Sequence, residues 1–199
     1  MIKEKIIKEV LTTALTTGAD FAEIFIENKD ANMLQAEGGI ISSANSSNTK
    51  GAGIRLFKGK ERVYGYSNNL ETEKLLKLAS DLASSFKGKS LNKKVELNDL
   101  EKLSHHKIKI HPKDVSIEQK AKYIKDAHYY AKSVDECISQ TRVALMDDAQ
   151  DIVVANSNGK YVTDTRVRTR ILINSIASKD GQSQTVSEGP GGQVFYELF

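Results

Sequence analysis

The chain has 199 residues, 39% apolar and 28% charged, with two prolines, one cysteine and a net charge of +3. That length holds one large domain or two small ones with real cores, and the composition excludes long disordered tracts. The charge is too small to point to nucleic acid or membrane, and no apolar run approaches the ~20 residues that span a bilayer. Met1-Ile2-Lys3-Glu4-Lys5 lacks the apolar core of a signal peptide, and the single Cys137 excludes an internal disulfide. Together these features predict a soluble cytoplasmic protein.

Residues 3–17 place Ile6, Ile7, Val10, Leu11, Ala14 and Leu15 at helical spacing, and Gly18 stands where a C-terminal cap glycine belongs. From Phe21 the period becomes two, with Ala22, Ile24 and Ile26 alternating with Glu23 and Glu27, as in a half-buried strand. The Ser/Asn-rich stretch 38–50 reads as an irregular strand or a loop. Residues 52–57 and 62–66, joined through Lys58-Gly59-Lys60, predict a hairpin. Asn69 is placed to cap a helix carrying Leu75, Leu78, Ala79, Leu82 and Phe86, stopped by Gly88.

A lysine-rich stretch of weak periodicity, 89–112, separates an N-terminal α/β subdomain at 1–88 from a helix plus antiparallel sheet at 113–199. Ser116 and Gln119 form a capping box, and the helix behind them is expected to bury Ile117, Ala121, Ile124, Ala127 and Ala131. Strands follow at 137–146, 151–156, 160–178 and 182–188, with turns at Asn158-Gly159 and Asp180-Gly181. The 160–178 run far exceeds the usual ~5–6 residues and is expected to bend or to serve two sheets. After Gly189-Pro190-Gly191-Gly192 a new apolar run starts at Val194 and stops at Phe199, which predicts the front part of a longer protein. Segregated helices and hairpin-linked strands give an α+β class: helices packed on antiparallel β-sheets, in two subdomains.

Residue chemistry offers little. His105, His106 and His111 fall in the linker stretch, and His128 lies between Ala127 and Tyr129 on a helix. Without H-E-x-x-H, paired cysteines or carboxylates at ligand spacing, they read as surface or packing residues. Cys137 could be a nucleophile only with a base beside it, and free cysteine is among the most buried residue types, so it reads as a core residue. The two glycine-rich segments lead into no helix, so they are turns or close approaches rather than phosphate loops. Arg166, Arg168 and Arg170 alternate with Val167, Thr169 and Ile171, which places three guanidinium groups on one face. They are the candidates for contact with substrate or partner: carboxylates, phosphates or a protein surface. The competing reading is an ordinary solvated sheet face, and the absence of interleaved aromatics disfavours single-stranded nucleic acid. No catalytic or metal-binding residue is identified.

The order of motifs resembles one family. Ala22-Glu23-Ile24-Phe25-Ile26-Glu27 precedes Gly39-Ile40-Ile41-Ser42-Ser43-Ala44-Asn45, then Lys50-Gly51-Ala52-Gly53-Ile54-Arg55-Leu56 and Val63-Tyr64-Gly65-Tyr66-Ser67. In the second half Ala155-Asn156-Ser157-Asn158-Gly159, Val162-Thr163-Asp164-Thr165-Arg166 and the Gly191-Gly192 break toward Tyr196-Glu197 fit the same pattern. This is similar to the front of the TldD/PmbA family, over most of 20–86 and 150–199. Gln193 and Val194 depart from it, where arginine and a small residue are expected.

The resemblance implies a parent that is a zinc metallopeptidase acting on peptides or unfolded protein, also described as a modulator of DNA gyrase. It implies an H-E-x-x-x-H motif outside this chain, and a homodimer or a heterodimer with a paralogue. Metal-activated water would attack the peptide carbonyl, with a glutamate as base. On this reading the 199 residues carry no cofactor themselves and supply scaffold, dimer contacts and a wall of the substrate channel. The 160–178 strand is a candidate for taking up extended peptide by strand addition. Three alternatives stand: part of a non-catalytic paralogue subunit, a stand-alone module binding protein or nucleic acid, or a purely structural domain with no ligand.

Overall fold

The structure is a computed structural model that describes residues 2–90, 94–98, 101–103, 108–193 and 196. The chain is α+β and forms two compact units, each drawn from three separate segments. Unit 1 comprises 1–28, 49–104 and 151–165; unit 2 comprises 29–48, 105–150 and 166–199. Contiguous subdomains at 1–88 and 113–199 are the arrangement that chain order suggests. The units are discontinuous because four long strands each contribute a stretch to both: β1 (Phe21–Glu37), β2 (Ile40–Lys58), β5 (Ile138–Asn156) and β6 (Tyr161–Lys179).

In unit 1, α1 (Glu4–Ala14) buries Ile7, Val10, Leu11 and Ala14; its C-cap is Leu15 rather than a residue beside Gly18, which follows three residues later at φ +91°. Ala22, Ile24 and Ile26 of β1 point into the same core as Ala52, Ile54 and Leu56 of β2. β3 (Glu61–Ser67) pairs antiparallel with β2, from Lys58 opposite Glu61 to Ala52 opposite Ser67, so the hairpin is as expected. Gly65 lets β3 approach the helix α2 (Thr72–Ala83): a Cβ there would lie 2.9 Å from Leu78 Cδ1. The α2 cap differs from expectation. Glu71 is the N-cap residue, and Asn69 instead accepts the Glu71 N–H at 2.8 Å in a turn ahead of the helix.

Part of the presumed linker is docked on this unit. Val95 is fully buried, its N–H donates to Thr12 Oγ1 at 3.2 Å, and the Asn98 N–H donates to the Gly159 carbonyl at 2.8 Å. The short β4 (Glu101–Leu103) pairs parallel with β6 at 162–164, the one parallel pairing among the described strands.

In unit 2 the Ser/Asn-rich stretch is a strand: β1 turns at Gly38-Gly39, both at positive φ, into β2. β5 lies beside β1 (Gly38 N–H to the Thr141 carbonyl, 3.0 Å), and β6 beside β5 (Ser178 N–H to the Cys137 carbonyl, 2.8 Å). β7 (Gln182–Glu188) pairs with β6 over 173–179, and β8 (Gly191–Gly192) pairs with Thr169 and Arg170. A Cβ on Gly191 would lie 2.5 Å from the Thr169 carbonyl oxygen, so the break is a close backbone approach.

These pairings correct one expectation. With β5 on one side and β4, β7 and β8 along most of the other, β6 offers too little free edge for strand addition over 160–178. Apart from Tyr196, the apolar run 194–199 lies outside the described residues, as do His105 and His106.

Candidate functional site

Unit 2 is organised by α3 (Ile117–Ser133), whose N-cap Ser116 accepts the Gln119 N–H at 3.2 Å as the capping pattern requires. Its buried face is only partly the expected one: Ile124 is buried and Ala121 and Ala127 pack against the core as the spacing indicates. Ile117 is 46% exposed, whereas Lys120, Ile124 and His128 are buried, one above the other at i, i+4 spacing. Two of these three are polar, and an apolar count places such residues outside; each is buried because a partner awaits it on the sheet.

Lys120 meets Asp147 of β5. Its ammonium lies 2.8 Å from Asp147 Oδ2, with side chains 5% and 1% exposed. Asp147 is saturated: Tyr196 Oη donates to Oδ2 at 2.5 Å, and Asn32 Nδ2 donates to Oδ1 at 2.7 Å. Asn32 Oδ1 accepts in turn from Ser46 Oγ at 2.7 Å. The Lys120 ammonium also sits 5.5 Å from the centre of the Tyr196 ring, which stacks on Tyr123 at 5.9 Å. Around this network pack Leu34, Ala36, Ile124, Val143, Leu145 and Ile171. At the other end of α3, His128 Nδ1 shares a 2.5 Å hydrogen bond with Thr141 Oγ1, and its ring covers Gly39, where a Cβ would approach within 2.6 Å. His128 is thus a satisfied core histidine.

Burial raises the Tyr196 phenol far above its ordinary 10, helped by the hydrogen bond to the Asp147 carboxylate, which favours the neutral form. A group with a raised folded pKa contributes stability fully below its unfolded pKa and loses it as pH rises beyond. Stability is therefore expected to fall above about pH 10, and Tyr196→Phe to flatten that fall. Urea unfolding of both proteins at pH 8, 10 and 11 checks this; parallel curves would contradict it.

Beside the network lies a cavity of about 430 Å³, lined by Met33, Asn45, Ser47, Met146, Asp148, Arg168 and Arg170 among others. Arg168 and Arg170 are exposed, as alternation predicts, while Val167, Thr169 and Ile171 are buried. Arg170 Nε donates to the Gly189 carbonyl at 3.1 Å, which fixes the root of its guanidinium. Arg166 is exposed but does not line this cavity, so two of the three candidate arginines share a site. Asp148 is 3.4 Å from Lys29 through Oδ2, while its buried Oδ1 has no hydrogen-bond partner among the described residues. Sequence reasoning missed Asp148 and the Lys120–Asp147–Tyr196 network. The only sequence signal was the Asp147-Asp148 pair directly after the apolar run Val143-Ala144-Leu145-Met146.

Cys137 is half-exposed rather than a core residue. Asp135 beside it raises its thiol pKa, first through a side-chain hydrogen bond, so the thiol is not activated as a nucleophile. His111 Nδ1 accepts the Lys113 N–H at 3.2 Å in a capping role. No group of three potential metal ligands converges among the described residues, so the side chains present there do not fit a zinc site. No described helix is long and apolar enough to cross a membrane.

Comparison with known proteins gives a consistent result. Residues 22–85 match the PmbA/TldA metallopeptidase domain 1, and residues 110–199 match the PmbA/TldA metallopeptidase central domain. The chain is 21% identical over 187 residues to a Metalloprotease TldD homolog of Buchnera aphidicola subsp. Acyrthosiphon pisum, covering 92% of the chain and 38% of that relative. It is 26% identical over 185 residues to Metalloprotease MJ0996 of Methanocaldococcus jannaschii, covering 90% of the chain and 40% of that relative. The chain thus spans about two fifths of the length of these relatives. Two solved structures share the fold. A candidate modulator of DNA gyrase from Bacteroides thetaiotaomicron superposes with TM-score 0.74 at 13% identity, over 99% of this chain and 47% of its own. TldE from Thermococcus kodakarensis superposes with TM-score 0.62 at 18% identity, over 96% of this chain and 43% of its own.

Proposed function

The chain belongs to the TldD/PmbA family of metallopeptidase-like proteins, and from that premise we propose that it is the front portion of a zinc-dependent peptidase subunit acting on peptides or unfolded protein in the cytoplasm. The observation that carries this reading is the pair of family domains in their order, domain 1 before the central domain. The relatives named as metalloproteases are more than twice as long as the matched region, which leaves room outside this chain for the metal ligands. On this proposal no step of peptide hydrolysis runs through the 199 residues. Their part is to hold substrate and partner.

Partner contact is supported by four tyrosines left on the surface. Tyr64 and Tyr66 in unit 1 are 64% and 76% exposed, and Tyr129 and Tyr130 in unit 2 are 65% and 76% exposed. Aromatic residues are enriched at protein interfaces, and none of these four belongs to a core. A second copy or a paralogous subunit is the partner this reading assigns.

Peptide hydrolysis by the whole gene product, assayed with an unfolded protein substrate, tests the proposal. Activity is expected to vanish with a chelator and return with zinc, while the 199-residue chain alone neither cleaves nor retains zinc stoichiometrically. Chelator-sensitive cleavage by the short chain would overturn the assignment of the chemistry to sequence outside it. A gene product without H-E-x-x-x-H that becomes active only when mixed with a paralogue would select the partner-subunit reading instead.

A further inference from the structure

We propose, resting on the partner contact assigned above, that β3 is the seam of a two-fold dimer, in which two copies of this chain pair their β3 strands antiparallel about Tyr64.

β3 ends the sheet: it pairs with β2 on one side and with no other described strand. Exposed sheet edges are normally blunted by a bulge, a proline or a charge within the strand. β3 runs beside β2 residue for residue without a bulge, and Val63-Tyr64-Gly65-Tyr66-Ser67 holds no charge and no proline. Two glycines keep the edge clear on both faces. Tyr64 lies back over β2, its hydroxyl 2.6 Å from where a Cβ on Gly53 would stand. On the helix side, Gly65 admits Leu78 and Leu82 of α2 beneath the strand. Val63, Leu78 and Leu82 are only partly buried, so the apolar core of unit 1 is open along this edge.

The order of residues in β3 answers its own reverse. In a two-fold antiparallel pair, directly opposite residues share a face and every contact occurs twice. With the axis at Tyr64, Arg62 stands opposite Tyr66, Val63 opposite Gly65 and Glu61 opposite Ser67. Each guanidinium then meets the exposed tyrosine ring of the other copy, and Tyr64 meets its own twin. No like charges are opposed, and Val63 of one copy fills the space that Gly65 leaves in the other. This match selects a second copy over an unrelated strand, which has no reason to set an aromatic residue against Arg62. β7 also pairs with a single described strand, but all seven of its residues are exposed and Val186 is its one apolar side chain. It offers a second copy no core to complete.

Sedimentation velocity of the 199-residue chain across a concentration series tests this. A reversible monomer–dimer equilibrium is expected. Tyr64→Lys sets two ammonium groups face to face and should weaken it about tenfold, while Tyr130→Lys in unit 2 should leave it unchanged. Cross-linking in a Cys137→Ser background reads the register. Tyr64→Cys should give a disulfide-linked dimer on mild oxidation, because directly opposite residues have Cα atoms within about 5.5 Å. Arg62→Cys should not, since it lies about 14 Å from its twin, four residues along the paired strand. A chain that stays monomeric overturns the seam and leaves a paralogous subunit as the partner. A dimer broken by Tyr130→Lys but not by Tyr64→Lys also overturns the seam, while the partner contact stands on unit 2. Equal cross-linking at both positions overturns the pairing about Tyr64.

Discussion

Replacing Asp147 by alanine is expected to cost about 3–5 kcal/mol of stability, the largest single effect we foresee in unit 2. The carboxylate is 1% exposed and accepts from three donors: Lys120 and Tyr196 on Oδ2 and Asn32 on Oδ1. Without it, the Lys120 ammonium remains 5% exposed with no counter-charge, and the Tyr196 hydroxyl and the Asn32 amide lose their acceptor. Removing one member of a buried pair leaves the full desolvation penalty of the other uncompensated. Replacing both charges by apolar groups removes that penalty, so Lys120→Met with Asp147→Leu should be far closer to the native protein than either single change. Urea unfolding at neutral pH measures the midpoint shift. A loss below about 1 kcal/mol for Asp147→Ala would show that the pair is not held dry.

Tyr196→Ala comes second, at about 3–5 kcal/mol, the usual cost of deleting a large buried aromatic. The ring is 1% exposed, stacks on Tyr123 and lies beneath the Lys120 ammonium, so its loss opens a cavity and withdraws the hydroxyl that Asp147 accepts. Tyr196→Phe keeps the ring and should cost about 1.5–3 kcal/mol, the range for a hydrogen bond to a charged group. Because Tyr196 and Asp147 touch, the double variant should fall short of the sum by about 0.5–3 kcal/mol. Strict additivity would mean that the two residues stabilise the unit independently. The measurement also shows how strongly Tyr196 is tied into unit 2, since Gly191 and Gly192 pair with β6 five and four residues before it.

Legibility in the sequence followed the strength of local signals. α1, the β2–β3 hairpin and the Ser116 cap were readable because spacing, a positive-φ glycine and a capping hydroxyl act within a few residues. The Ser/Asn stretch of β2 was ambiguous because its side chains are almost all exposed, so no alternation marks the strand. The face of α3 was read only in part: Ile124, Ala121 and Ala127 meet the core as their spacing indicates, but Lys120 and His128 count as polar, and both are buried on partners that come from β5. Arg168 and Arg170 were visible from alternation alone. Asp148 was not, because its orphaned oxygen exists only once β1, β5 and β6 stand side by side.

By itself, then, the sequence determined the element types, the α+β class, the exposed arginine face and the family, since each depends on residues close in the chain or on motifs in a fixed order. Only the tertiary structure decided which charges are buried and which strand edges are taken. β4, β7 and β8 close most of the edge of β6, and a lysine 27 residues before its aspartate in the chain becomes its partner in the core. The physical reason is the same in both cases. A hydrogen bond or an ion pair between distant residues stabilises nothing until the backbone brings them together, so it leaves no period, cap or turn for a sequence to show.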